Sequence, residues 1–196
     1  MARGVASGGS SGGSSAGVRR PDRERGAALV EAALVLPLLL LVVFGIVGFG
    51  ATYSSWLGLR DGVRQAARSG AVNNFGSDAT CTLTGATGAS TAMKELLCLT
   101  KRETGLDPAQ VRVKVLSADP TFTGAGTFAK NDALIVCAQV PTTGISSLVS
   151  PILSGKALRT KVAMRIESGD LPGAAVAEDP PPGQDWAWCD TSEASR

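Results

Sequence analysis

The chain has 196 residues, a formal net charge of +2 and no histidine. That length fits one domain with appendages. The near-neutral balance gives no surplus for binding polyanions, and the missing imidazole removes the commonest general base and metal ligand.

Residues 1–26 open with the Gly/Ser run "ASGGSSGGSSAG" and continue as "VRRPDRERG". Such a composition cannot bury apolar surface, so a disordered leader is expected. Five arginines stand against two acids here, a net +3 just before an apolar stretch. Arginines in that position favour a cytoplasmic N-terminus and an outward C-terminus.

From Ala27 to Leu59 the chain is uncharged except for Glu31. A membrane span needs about 20 apolar residues, and residues 27–54 supply it. A cleavable secretory signal is a competing reading, with "GFGA" at Gly48–Ala51 as its cleavage site, but its apolar core would be only about 7–15 residues. Pro37 lies inside the run, where a membrane helix tolerates it. Gly45, Gly48 and Gly50 form small notches, though no pair of them has GxxxG spacing. Glu31 is the anomaly, because a lone carboxylate in lipid is costly and marks a functional site by default.

Gly26 followed by "AALVE" reproduces the G|xxxxE pattern of type IV pilin and pseudopilin signals, and the string "RGAALVEAALVLPLLLLVVFGIVGFG" with its continuation "LRDGVRQAARSGA" resembles the TadE-like family of tight-adherence (Flp) pilus systems. The resemblance implies that a membrane prepilin peptidase cuts after Gly26 on the cytoplasmic side. Ala27 would then start the mature chain, with Glu31 as its fifth residue. Physical chemistry supplies a reason for that spacing. Ala27 and Glu31 lie one helical turn apart on one face, so the carboxylate can neutralise the new ammonium, or that of a neighbouring subunit.

Residues 55–72 continue the helix as an amphipathic extension. Tyr53, Trp56, Leu57, Val63, Ala67 and Ala71 mark an apolar face, and Arg60, Arg64 and Arg68 recur at steps of four on another. Tyr53 and Trp56 suit the outer membrane interface. "NNFGSD" at Asn73–Asp78 is loop chemistry. A short helix follows, with Ser90 or Thr91 as cap and its end before Gly105. "VRVKVL", "ALIVCAQV" and "LRTKVAMRIE" read as three strands, while "GISSLVSPILSG" is ambiguous between a helix and an irregular crossover. Residues 171–196 are rich in Pro and Gly, a tail expected to wrap or leave the surface of the 73–170 domain. In that tail Trp186 and Trp188 are expected to cover an apolar spot beside Cys189.

Cys81, Cys98, Cys137 and Cys189 all follow the span. In an oxidising compartment four cysteines mean two disulfides with three possible connectivities. A local Cys81–Cys98 bridge and a Cys137–Cys189 bridge holding the tail are the expected pairs. A metal site is not expected, since there is no CxxC pair and no histidine. Nor is catalysis: "SPILSGKALRT" has Ser150 and Ala157 where a phosphate loop needs Gly and Ser/Thr, and "GAG" at Gly124–Gly126 lacks its third glycine.

The expected fold is α+β, a long N-terminal membrane and amphipathic helix packed on a small, disulfide-stapled antiparallel sheet, which is also the pilin-like form that the resemblance implies. The implied role is a membrane-anchored pseudopilin without cofactor, small-molecule substrate or nucleic-acid partner. Its implied partners are the lipid bilayer, the prepilin peptidase, other minor pilins and the Flp-type assembly machinery. The competing reading is a signal-anchored extracytoplasmic binding domain with no pilus role.

Overall fold

A computed structural model describes residues 22–74, 81–121, 125–142 and 155–190, with side chains from Gly26 onward. The leader up to residue 21 and most of the ambiguous 144–155 stretch lie outside the described residues, as does the loop sequence from residue 75 to 78. Contacts divide the chain into two compact units, Met1–Val42 and Val43–Arg196.

Helix α1 spans Asp22–Ala71 and contributes to both units. It begins at Asp22, before the expected boundary at Ala27. Gly26 costs only about 1 kcal/mol in a helix, and no proline follows until Pro37, which the helix accommodates. Within the first unit the described apolar side chains are exposed, Leu29 at 71% and Leu34 at 74% among them.

In the second unit the chain forms α2 (Thr91–Glu103), β1 (Arg112–Ala118), β2 (Ala133–Pro141), β3 (Ala157–Arg165) and β4 (Val176–Ala177). Ser90 caps α2, its Oγ accepting from the Met93 N–H at 3.3 Å and donating to the Pro172 carbonyl at 2.7 Å. The helix stops at Gly105, which takes φ +64°, a value natural to glycine.

The strands lie in the order β3-β2-β1-β4, all antiparallel. The fourth strand comes from the Pro/Gly-rich segment and was not among the three read from sequence. At two residues it is too short to show a period. Its register pairs Lys114 with Ala177 and Val115 with Val176.

β2 is central and buried on both faces. Its residues Leu134, Val136, Ala138 and Val140 face a core shared with Leu59, Val63, Ala66 and Ala67 of α1 and with Met93, Leu96 and Leu97 of α2. Ala133, Ile135 and Cys137 face the opposite side, where Leu116, Ala118 and Cys189 complete a smaller cluster under Trp186 and Trp188. The basic face of β3 holds this cover down. Arg159 stacks over the Trp188 ring at 5.5 Å and donates to Gln184 Oε1, and Lys161 Nζ donates to the Asp190 carbonyl.

Two glycines explain how α1 approaches α2. A Cβ on Gly62 would lie 2.5 Å from Thr104 Cα, and one on Gly58 would lie 2.9 Å from the Thr104 carbonyl oxygen. These residues form a GxxxG pair beyond the apolar run, used here within one chain. Gly62→Ala should therefore destabilise the protein by about 1–3 kcal/mol through overpacking against backbone, despite alanine's better helix propensity. Gly50→Ala, which meets nothing within 4 Å, should not. Thermal unfolding of the detergent-solubilised chain distinguishes the two.

Candidate functional site: the N-terminal helix and its anchor points

Gly26, Ala27 and Glu31 lie together on exposed helix in the first unit. Four residues of α-helix rise about 6 Å, so Ala27 and Glu31 sit one above the other on a single face. Glu31 has no ion-pair partner among the described residues.

Gly26 is informative because the fold does not need it. An added Cβ would meet nothing within 4 Å, and the residue does not take a positive φ. A helix glycine is destabilising by about 1 kcal/mol relative to alanine, with no close packing here to compensate. Gly58 and Gly62 show the contrast, since neighbouring backbone occupies the place of their side chains.

From Gly26 the helix presents leucine, valine, isoleucine and phenylalanine outward as far as Phe49, which is 72% exposed. It is long and apolar enough to cross a membrane, and its most apolar window is almost wholly unburied. Water would penalise this surface at about 25 cal/mol per Å². Thr52 and Ser55 direct their hydroxyls to the carbonyls of Gly48 and Ala51, at 3.0 Å each, which satisfies polar groups inside an apolar stretch. At the end of this stretch Tyr53 and Trp56 stand 5.9 Å apart, and Arg60 stacks 5.5 Å from the Trp56 ring.

The cysteines anchor the second unit. Cys81 is bonded to Cys98 and Cys137 to Cys189, with Cα–Cα separations of 5.5 and 6.1 Å. The first bridge ties the segment before α2 to that helix; the second ties the C-terminal segment to the central strand. No group of three or more metal-ligating side chains gathers among the described residues.

Sequence reasoning missed the buried pair Lys101–Glu178. Both side chains are fully buried, with Nζ 2.7 Å from Oε1. Lys101 Nζ also donates to the Thr82 carbonyl at 3.0 Å. Glu178 Oε1 accepts from the Thr84 N–H, and Oε2 accepts from the Val113 N–H, each at 3.0 Å. The two charges thus join α2, β1, the segment after Cys81 and the segment after β4. Full burial and three backbone partners mark this pair as structural. A sequence separation of 77 hides the pair from any local pattern.

A family model described as TadE-like protein matches residues 26–68. The matched segment begins at Gly26, contains Glu31 and ends at the third arginine of the α1 extension. No curated protein and no solved structure matches the chain.

Proposed function

We propose that the chain is a TadE-like pseudopilin, a single-pass membrane subunit that takes part in assembling or initiating a Flp-type pilus. The observation that carries this reading is Gly26: a helix glycine without a role in the fold, five residues before a lone acid in an apolar helix. A requirement that the folded chain does not impose belongs to something that acts on the chain. A peptidase cutting after Gly26 needs a small residue there, and the new ammonium of Ala27 needs a counter-charge within one turn. The protein is then a substrate of chemistry rather than its agent.

The topology follows from the same reading. The arginine-rich leader stays cytoplasmic, and residues 27–54 cross the bilayer. The second unit lies outside, where its two disulfides persist. Partners on this account are the prepilin peptidase, other minor pilins and the membrane assembly machinery.

Glu31→Ala tests the role of the acid. Removing a charge raises the hydrophobicity of the span, so membrane insertion should be retained. Co-purification with other pilin subunits and surface piliation should fall. Wild-type levels of both in this variant would favour an ordinary anchor with no pilus role.

A further inference from the structure

The α1 extension carries three guanidinium groups at steps of four. Arg64 and Arg68 are exposed, and Arg60 is half-buried against Trp56. None of them forms an ion pair among the described residues. Like charges at every fourth position disfavour a helix, and the exposed Asp61, three residues before Arg64, is the single acid between Arg60 and Arg68. The stripe ends in a groove of about 330 Å³ lined by Arg68, Ala71, Val72, Met164, Arg165 and Glu167. Val72 is 45% exposed on its wall, and Arg165 adds a fourth exposed cation.

We propose that this stripe and its terminal groove are the docking face for an acidic helix of a second, different membrane-anchored subunit. The inference rests on the membrane reading of the apolar helix. Arg60, Arg64 and Arg68 are spaced about 6 Å apart along the axis, a spacing that a neighbouring helix matches with acids at i, i+4 and i+8. A partner anchored in the same bilayer emerges alongside α1, and an apolar residue after its acids fits the wall formed by Val72 and Met164. A second copy of this chain does not fit, because it would set arginines against arginines. Lipid head groups fit only the start of the stripe. With Trp56 at the interface, Arg68 stands about 18 Å further along the helix, beyond a Debye length of about 8 Å.

The test uses the full chain in phosphatidylcholine nanodiscs. The probe is a synthetic alanine-based helical peptide with a glutamate at every fourth position and a leucine at its end. Saturable binding that weakens with salt is expected, falling about tenfold in Arg64→Gln/Arg68→Gln. The charge-reversed variant Arg64→Glu/Arg68→Glu should lose this peptide and gain its lysine counterpart, an exchange that a purely structural role would not produce. Failure of the wild-type chain to bind, or equal binding by the double glutamine variant, overturns the proposal. Loss of peptide binding when phosphatidylglycerol replaces phosphatidylcholine overturns it in favour of lipid as the occupant. The uncleaved variant Gly26→Leu should bind as the wild type does, so a processing failure and a docking failure are read separately.

Discussion

Glu178→Leu should be the most destabilising single change in the second unit, costing about 3–5 kcal/mol. The substitution leaves the Lys101 ammonium fully buried with the Thr82 carbonyl as its remaining partner, and breaking a buried pair from one side carries a penalty of that order. It also strips the N–H groups of Thr84 and Val113 of their acceptors. The expected result is a fall in Tm on the order of 10–20 °C for a domain of this size. Replacing both partners, as Lys101→Met/Glu178→Leu, removes the stranded charge and should recover part of the loss. Recovery stays incomplete because the buried Val113 N–H is left without its acceptor, at about 1–3 kcal/mol. Full recovery in the double variant would show that the backbone bonds contribute little and that the pair is merely two matched charges.

The second large effect is expected at the Cys137–Cys189 bridge. Its sequence separation of 52 corresponds to about 4 kcal/mol of unfolded-state constraint, against about 3 kcal/mol for the separation of 17 at Cys81–Cys98. Cys137→Ala/Cys189→Ala also loosens the cover over Leu116, Ala133 and Ile135, because Trp186 and Trp188 flank Cys189. Limited proteolysis should then cut in the segment after Ala177 while the core around β2 resists. Cys81→Ala/Cys98→Ala should lower stability less and leave that segment protected. Equal protease patterns in the two variants would mean that the ion pairs, hydrogen bonds and tryptophans hold the tail without the bridge.

Much of this architecture was legible from residue order. The apolar run gave α1, and "VRVKVL" and "LRTKVAMRIE" gave two strands. Length and β-branching gave the third. The cysteines left three pairings open, and the structure has the local pair and the tail-to-strand pair.

The illegible parts share a cause: each depends on contacts between distant residues. Lys101 lies in "LTKRET" and Glu178 in "VAEDPP", settings that read as solvated surface. β4 needs β1 as a template, so it has no signal of its own. The close approach at Gly62 depends on Thr104, which its local sequence does not predict. Gly26 is the reverse case. Local sequence makes it conspicuous, and the fold supplies no reason for it.

The central claim is tested most directly at the Gly26–Ala27 bond, by intact mass and N-terminal sequencing of the protein extracted from membranes. Pilin-type processing leaves a chain that starts at Ala27, free or methylated, and stays in the membrane fraction. Its formal side-chain charge changes from +2 to −1 on loss of the +3 leader. Gly26→Leu should then accumulate as an inserted, uncleaved precursor. A wild-type chain that keeps Met1 or Ala2, or a soluble product starting near Ala51, would contradict the account.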